Sequence, residues 1–323
     1  MTRSTHSRTP TPLTTLATAA LLALPALVAG CADHPTAPGM TTPGREGGLL
    51  DVAGGPPGGI AFYSNRDGNP EVYVMNPDGT DPVRLTENRA ADVDPDISPD
   101  GDWLVFTSSR TGNAEIFLAG RYTAERVNLT NHPATDGWAR WSPDGQRVAF
   151  HSDRAGNFEI YVMNADGSGL TRLTEYPGVD QFPEWSPDGT RLAFRRDHDV
   201  FVMNADGTDA VRLTTSPALD QMAAWSPDGE RLAFMSLREG YCSVFLMNAD
   251  GSGQRNLTPK NPDDPDAAWC SRAPSWSRDG RIYFMSRRPS TGGDFEIFVM
   301  NADKTGVTRL TFTPGDDGIP AAR

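Results

Sequence analysis

The chain has 323 residues and a formal net charge of −13 at pH 7. An acidic surface repels the phosphates of nucleic acids and of anionic lipid head groups, so we expect no nucleic-acid partner. The 27 prolines and 32 glycines interrupt the chain too often for long helices, while the runs between them are rich in Val, Ile, Phe and Tyr. The composition therefore predicts an all-β protein built from many short strands.

The first 30 residues have the composition of an export signal. Two arginines precede an apolar run from Leu13 to Val28, and two small residues follow directly before Cys31. The run Val-Ala-Gly-Cys resembles the lipobox of bacterial lipoproteins, which implies that residues 1–30 are removed and that Cys31 is acylated. The alternative is an ordinary signal peptide cut near Ala32. A lipid at Cys31 would anchor the exported protein to a membrane without spanning it.

Residues 31–59 contain little apolar surface and many Pro and Gly residues. This composition predicts a flexible tether between the anchor and a folded domain that covers residues 60–323.

One pattern of a dozen residues recurs five times in the folded domain. It reads PEWSPDGTRLAF from Pro183 to Phe194, and the spacings between its glycines are 44, 44, 40 and 51 residues. A period of this length predicts stacked structural units. The glycines that mark the five copies are Gly101, Gly145, Gly189, Gly229 and Gly280.

Each unit contains four short apolar segments in a fixed order, separated by Pro-Asp-Gly and Ala-Asp-Gly turns. Glycine at these turns tolerates the positive φ that closes a hairpin, so each unit is predicted to be an antiparallel meander of strands A, B, C and D. Four strands in such a period are typical of a β-propeller blade. Six segments of the strand B type, from IAF at 60–62 to IYF at 282–284, predict a six-bladed β-propeller.

The two ends of the repeat region predict how the ring closes. The region begins at Ile60 with a strand B, and its last segment, from Asp317 to Ala322, has the pattern of a strand A. We therefore expect the C-terminal strand to complete the first blade, which removes two exposed sheet edges. The recurring tryptophans of strand A are predicted to fill the wedge between neighbouring blades. They are Trp141, Trp185, Trp225 and Trp276.

The pattern Asp-x-x-Pro-x-Trp-Ser-Pro-Asp-Gly, followed by LAF-type and IYVMNADG-type strands, resembles the WD-like propeller repeats of the TolB family over residues 60–323. Similar repeats occur in the propeller domains of dipeptidyl-peptidase-IV-like proteins. TolB has a further α/β domain before its propeller, and the peptidases have an α/β-hydrolase domain with a Gly-x-Ser-x-Gly elbow. We expect neither here. The resemblance implies a lone propeller that binds a protein partner or a cell-envelope polymer.

An aspartate begins strand A in five units, and Ser271 takes its place in the sixth. If strand A lines the channel, these carboxylates ring one mouth, where they would bind a cation such as Ca²⁺ or a basic peptide segment. The alternative is that each carboxylate accepts backbone N–H bonds and fixes its own D-to-A loop. The candidate ring consists of Asp92, Asp136, Asp180, Asp220 and Asp317.

The two rims of the propeller differ in their connections. The A-to-B and C-to-D turns share one rim, here called the turn rim, and all of them are short. The B-to-C and D-to-A loops share the other, here called the loop rim, and irregular loops on a rigid scaffold often bind ligands. A patch of Trp269, Arg287 and Arg288 on the loop rim is the candidate partner contact, since Trp and Arg are enriched in binding hot spots. The alternative is a set of plain solvated loops.

Two other groups of residues on the chain invite a chemical interpretation. Cys242 and Cys270 fall in the same repeat of an exported chain, so they form a disulfide or remain two unpaired thiols. His132, His151 and His198 fall near the loop rim, as in a metal-dependent lyase, but they lack a recognisable ligand spacing. The Asn-Ala-Asp-Gly turns faintly resemble calcium loops but lack the spaced acidic ligands and are explained by turn chemistry.

The sequence contains no Ser/His/Asp set, phosphate-binding loop or paired-cysteine zinc motif, so no cofactor is expected. These observations favour a non-enzymatic, monomeric binding or scaffold module, anchored by lipid in the bacterial cell envelope, in the periplasm or at the cell surface. The alternative is a hydrolase or lyase that acts on carbohydrate or peptide at the channel mouth.

Overall fold

The computed structural model describes residues 59–260, 270–288 and 291–322. The predicted signal peptide, Cys31, the predicted tether up to residue 58 and Trp269 lie outside the described residues. Within them the chain forms 24 strands, in agreement with the predicted all-β class. No helix in this part of the chain has the length and apolar character needed to cross a membrane.

The strands of the described residues form six antiparallel sheets of four strands, which confirms the predicted six-bladed propeller. Blade 1 contains β1 (Ile60–Ser64), β2 (Glu71–Met75), β3 (Val83–Arg84) and β24 (Asp317–Ala322). Blade 2 contains β4 (Asp92–Ile97), β5 (Trp103–Ser108), β6 (Glu115–Gly120) and β7 (Arg126–Asn128). Blade 3 contains β8 (Asp136–Trp141), β9 (Arg147–Ser152), β10 (Glu159–Asn164) and β11 (Thr171–Arg172).

The remaining three blades follow the same order along the chain. Blade 4 contains β12 (Asp180–Trp185), β13 (Arg191–Arg196), β14 (Asp199–Asn204) and β15 (Val211–Arg212). Blade 5 contains β16 (Asp220–Trp225), β17 (Arg231–Ser236), β18 (Ser243–Asn248) and β19 (Arg255–Asn256). Blade 6 contains β20 (Cys270–Trp276), β21 (Arg281–Arg287), β22 (Phe295–Asn301) and β23 (Thr308–Arg309).

The ring closes through the C-terminal strand, as predicted. Strand β24 pairs antiparallel with β1, with Ile60 opposite Ala322 and Ser64 opposite Asp317. Blade 1 therefore combines the last strand of the chain with the first three, and the edges that both ends would otherwise expose are paired.

The hydrophobic core is divided into clusters that lie between neighbouring blades. Trp185 of blade 4, for example, packs with Ala149 and Ile160 of blade 3. Two further interfaces repeat this pairing of a large strand A residue with a small strand B residue, since Trp225 packs with Ala193 and Trp276 packs with Ala233. The tryptophans thus fill the wedges between blades, and alanines on the facing strands make room for them.

The interface between blade 6 and blade 1 reverses this arrangement of volumes. Strand A of blade 1 ends in Ala322 where blades 3 to 6 have Trp, and Tyr283 of blade 6 stands where blades 1, 3, 4 and 5 have Ala. Tyr283 is fully buried, and its hydroxyl donates to the Pro77 carbonyl at 3.1 Å. The large side chain has moved to the opposite strand, so the closing interface keeps a filled core.

Side-chain hydrogen bonds to the backbone and glycines with positive φ stabilise the tight turns of the turn rim. In the C-to-D turn of blade 4, Asp206 Oδ1 accepts the Thr208 N–H at 3.0 Å, and Gly207 follows with a φ of 89°. A Cβ at Gly207 would come within 2.5 Å of the Leu173 carbonyl oxygen of the preceding blade. Glycine is therefore required here both by the turn and by the close approach of a neighbouring blade.

Candidate functional site

A β-bulge in strand A shapes the channel. Each strand A changes register with strand B near its third residue, and that residue has a positive φ of 50–58° in all six blades. Such backbone is sparsely populated by residues other than glycine, and bulges re-aim side chains. The six bulge residues are Asp94, Trp138, Phe182, Met222, Ala273 and Ile319.

Five of these bulge residues form an apolar plug inside the channel. Trp138, Phe182, Met222, Ala273 and Ile319 belong to one hydrophobic cluster although they come from five blades. The rings of Trp138 and Phe182 meet edge to face with their centroids 4.9 Å apart. We call these five residues the channel plug. It separates the turn-rim end of the channel from the loop-rim end.

A cavity of about 270 Å³ occupies the turn-rim end of the channel. The channel plug forms its floor through Trp138, Met222, Ala273 and Ile319, and the strand A tryptophans stand around it. The prolines of the Ser-Pro-Asp-Gly turns surround its mouth, which places the opening on the turn rim. The mouth prolines are Pro99, Pro143, Pro187 and Pro227.

The walls of the cavity differ from one side to the other. The fifth residue of strand A is Asp96, Arg140 and Glu184 in blades 2, 3 and 4, whereas it is alanine or serine in blades 5, 6 and 1. The Arg140 Nε donates to Glu184 Oε2 at 3.0 Å, and its guanidinium stacks on Trp138 at 4.4 Å. Asp96 Oδ2 accepts the Trp141 N–H at 2.8 Å. One wall is therefore charged and fixed, and the opposite wall is small and leaves the open space.

Blade 6 replaces the mouth proline by Arg278. Its Nη2 donates to the carbonyl oxygen of Pro99 in blade 2 at 2.9 Å. Blade 1, which lies between them, has no A-to-B turn because the two ends of the folded domain meet there. Arg278 thus spans a gap in the mouth that a turn would otherwise occupy.

The sequence analysis did not predict this cavity. It placed the candidate binding site on the loop rim, because all turns of the turn rim are short. A signal was present in the repeat. The position lined up with Glu184 varies from Asp to Arg, Glu, Ala and Ser, while the residue before it is always Pro or Ala and the residue after it is Trp in four of the six blades. Variation at one register position of an otherwise constant repeat indicates a side chain that the architecture does not restrict, and here that side chain lines the channel.

The five aspartates of the candidate ring lie inside their blades and have no exposed surface. Each pairs with an arginine of its own B-to-C connection, at distances such as 2.9 Å between Arg154 Nη2 and Asp136 Oδ2. The same arginine stacks on a strand C aromatic ring, as Arg110 does on Phe117 at 4.6 Å. The ion pairs are Arg66–Asp317, Arg110–Asp92, Arg154–Asp136, Arg196–Asp180 and Arg238–Asp220.

Burial dominates the electrostatics of these pairs. It raises the pKa of Asp92 and Asp180, and their arginine partners act in the opposite direction. Each carboxylate is used within its blade, where it fixes the loop-rim connections. Within the described residues no three His, Cys, Asp or Glu side chains are placed to hold a metal ion together.

Blade 6 lacks this carboxylate. Ser271 takes its place, and its hydroxyl lies 2.9 Å from that of Ser286. Arg288 still stacks on the ring of Phe298 at 4.2 Å, and burial lowers its pKa to about 10. The blade therefore keeps the arginine and the aromatic ring of the motif with one negative charge fewer.

Cys242 and Cys270 are joined by a disulfide bond, with their Cα atoms 4.4 Å apart. The bond ties the B-to-C loop of blade 5 to the first residue of strand A in blade 6. It holds the beginning of β20 next to Arg287, since Cys270 and Arg287 are register partners. Trp269, the third member of the predicted contact patch with Arg287 and Arg288, lies outside the described residues.

The three histidines do not meet at one site. His132 Nδ1 accepts the Ala134 N–H, and the His198 carbonyl accepts the Asp220 N–H, so each belongs to a different loop. His151 is buried in the channel wall between Phe158 and Phe182. Burial, together with Arg195 and Arg140, lowers the pKa of His151 to about 3, so the ring is neutral at physiological pH.

The fold and the repeats define a six-bladed propeller of TolB-like repeats. Residues 114–199 match the family model of the TolB beta propeller domain. The Tol-Pal system protein TolB of Geobacter sulfurreducens is 50% identical over 44 residues, which cover 14% of this chain and only 10% of that relative.

Solved structures share the fold at low sequence identity. The crystal structure of TolB from Acinetobacter baumannii matches with a TM-score of 0.72 and 23% identity, covering 82% of this chain and 66% of that chain. An oligogalacturonate lyase in complex with manganese matches with a TM-score of 0.53 and 17% identity, covering 77% of this chain and 72% of that chain. TolB and a lyase thus share this architecture, so the fold does not assign a function and the residues of the site must be considered.

Proposed function

We propose that this chain is a non-enzymatic binding module of the bacterial cell envelope, and that a segment of a protein partner binds in the turn-rim cavity. The observation that carries the proposal is the cavity itself, which has an apolar floor, an aromatic wall and one charged side. Its volume of about 270 Å³ is close to the lower end of ligand pockets, and a few polar groups among apolar ones are typical of binding sites.

The chemistry of the cavity supports binding rather than catalysis. The Arg140–Glu184 pair occupies the charged wall, and Ser275 Oγ accepts the Ala322 N–H at 3.0 Å. The rim adds carboxylates in the A-to-B turns, where hydrogen bonds from Ser and turn N–H groups lower the pKa values of Asp188 and Asp228. A partner segment with an apolar side chain for the floor and a basic residue for the rim fits these features.

Site-specific photo-crosslinking in envelope extracts tests this function. A benzophenone amino acid replaces Pro187, which is exposed at the cavity mouth, and in a control replaces Val211, which is 58% exposed on β15. We expect one partner polypeptide to be crosslinked from position 187 and not from 211, and to be lost when Ala224→Trp fills the cavity. Equal products from both positions, or products insensitive to Ala224→Trp, would contradict the proposal.

We also propose that the module is held at a membrane through a lipid on Cys31. The lipobox-like run before Cys31 supports the lipid anchor, and the similarity to TolB proteins supports only the location in the cell envelope. Expression in a bacterial host with a radiolabelled fatty acid should label the wild-type chain and leave Cys31→Ser unlabelled and released from membranes. Labelling that survives Cys31→Ser would exclude this anchor.

A further inference from the structure

The loop-rim mouth of the channel carries an unbalanced group of arginines. Arg195 on β13, Arg272 on β20 and Arg287 on β21 all contact aromatic members of the cluster that contains the channel plug. Among the described residues none of the three forms an ion pair, and each has an Nε atom that is buried without a hydrogen-bond partner. A chain with a net charge of −13 thus concentrates unmatched positive charge at one mouth.

Arg272 and Arg287 form the centre of this group. Their guanidinium carbons lie 4.5 and 4.4 Å from the centroid of the Phe295 ring, so the two carbons are at most 8.9 Å apart. Each guanidinium has five N–H donors, and within the described residues neither meets an acceptor. Two like charges held against one ring repel each other, and an anion between them would relieve that repulsion.

Among the described residues, no neighbouring carboxylate forms an ion pair with either arginine. Asp316 Oδ1 accepts the Phe295 N–H at 2.7 Å, and Asp294 Oδ2 accepts the Gly315 N–H at 3.1 Å, so both carboxylates bind backbone in the surrounding loops. Arg195 donates to the amide oxygens of Gln221 and Gln181, which are neutral. The carboxylate of Asp197 acts on Arg195 only from beyond ion-pair distance.

We propose that the loop-rim mouth is a second binding site, specific for a carboxylate ligand that Arg272 and Arg287 bind together. A carboxylate bound by a guanidinium fork has its carbon about 4 Å from the guanidinium carbon, so the carboxylate groups of one ligand can meet both arginines, whose guanidinium carbons lie at most 8.9 Å apart. Arg195, on the same mouth, supplies attraction for a further carboxylate of the ligand. The residues stand on adjacent strands whose ends are fixed by the disulfide bond at Cys270, so the site is preorganised.

The carboxylate has two sources, a small polycarboxylate or the acidic side chains of a peptide, and calorimetric titration distinguishes them. The full-length chain is titrated with citrate, with a capped hexaglutamate peptide and with sulfate at the same ionic strength. We expect saturable binding of citrate, of the peptide or of both, and at least tenfold weaker binding of sulfate. Binding of citrate alone identifies a small ligand, and binding of the peptide alone identifies an acidic segment.

Variants of the arginines test the residues. Arg272→Gln and Arg287→Gln should each weaken binding at least tenfold, and Arg272→Lys should keep part of it because the charge remains without the fork. Arg212→Gln is the matched control, since Arg212 already pairs with Asp199 at 2.7 Å on the outer strand of blade 4, and it should bind like wild type.

The melting temperature of each variant shows whether a loss of binding comes from misfolding. Because Arg272 and Arg287 form no ion pair within the described residues, Gln at either position should leave the melting temperature unchanged or higher, and citrate should raise it in wild type only. No saturable binding of either carboxylate, equal affinity for sulfate, or equal affinity in the two Gln variants and wild type would each overturn the proposal. The turn-rim cavity is at the other end of the channel, so its own test is independent of these outcomes.

Discussion

Blade 6 and blades 3 to 5 are built from the same repeat, but blade 6 departs from it where it meets blade 1. Ser271 replaces the buried aspartate, Arg278 replaces the mouth proline, and Tyr283 replaces the small strand B residue. Its neighbour consists of both ends of the folded domain and lacks the wedge tryptophan and the A-to-B turn. Arg278 and Tyr283 fill the spaces that the missing A-to-B turn and the missing tryptophan of blade 1 leave. Ser271, in place of aspartate, removes a negative charge beside the loop-rim arginines.

The comparison teaches that a repeat constrains packing more tightly than it constrains individual residues. The closing interface has no tryptophan in strand A, yet its cluster is buried because Tyr283 lies on the facing strand. Volume is conserved across the interface while the identity of the residue is not. The predictions below break or sharpen this contrast between the closing interface and the regular ones.

The largest effect is expected at Tyr283. Tyr283→Ala leaves two small residues facing each other, and we expect a loss of about 4 kcal/mol in the free energy of unfolding. Ala322→Trp in the same chain should recover about half of it, whereas Ala322→Trp alone should cost about 1 to 3 kcal/mol through overpacking. Urea denaturation of the four proteins measures the cycle. Additive effects of the two changes would show that the residues do not share one space.

The next effect concerns the buried ion pairs of the regular blades. Asp136→Asn leaves the half-buried Arg154 without its countercharge and should cost about 3 kcal/mol. The corresponding change in blade 6, Ser271→Ala, removes one hydroxyl hydrogen bond and should cost about 1 kcal/mol. Denaturation at pH 7 compares them, and a larger cost at Ser271 than at Asp136 would contradict the contrast.

A smaller effect is expected from the disulfide bond between blades 5 and 6. Its cysteines are 28 residues apart, and replacing both Cys242 and Cys270 by Ser should lower the free energy of unfolding by about 2 kcal/mol. A reducing agent should lower the stability of wild type by the same amount and leave the double variant unchanged. If reduction has the same effect on both proteins, it acts elsewhere.

The smallest effect is a pH dependence in blade 6. Burial raises the pKa of Glu296 to about 7 from its ordinary value of 4.5, against the opposing effects of hydrogen bonds from Thr311 and Arg309 and of the Arg309 charge. The folded state then binds a proton that the unfolded state has released, so the contribution to stability is greatest below pH 4.5 and is lost as the pH rises through 7.

Glu296→Gln isolates this contribution because it keeps the shape and removes the titration. Relative to that variant, wild type should lose on the order of 1 kcal/mol of stability between pH 4.5 and pH 7.5. Thermal unfolding of the two proteins across this range gives the difference, from which common groups such as His151 cancel. Parallel profiles would rule out the raised pKa.

The strands and their order were predictable because their signals are local. Apolar segments between Asp-Gly turns define four strands per repeat, and the strand A pattern at Asp317–Ala322 predicts the closing strand. The composition of the contact patch on the loop rim was harder to predict from the sequence. Arg287 does stand on the loop rim, but its neighbours Arg272 and Phe295 were not recognised, because they approach it from adjacent strands of blade 6.

The five aspartates show most clearly where pattern reading fails. Their constant position at the start of strand A suggests a shared role, and a ring around the channel mouth is one way to share it. In the structure each side chain instead turns into its own blade towards an arginine that lies 16 or more residues away. The repeat position does not tell which of the two sides of a strand a side chain occupies once a bulge shifts the register.

The amino-acid sequence by itself determined the number of blades, the strands within each and the way the ring closes, because turn residues and alternating apolar residues act over a few positions. The tertiary structure alone decided the channel plug, the turn-rim cavity and the arginines of the loop-rim mouth, which form no ion pair within the described part of the chain. Each of these arises where strands from different blades converge on one axis. Side chains there meet neighbours that are tens of residues away, and only the closed ring sets their distances.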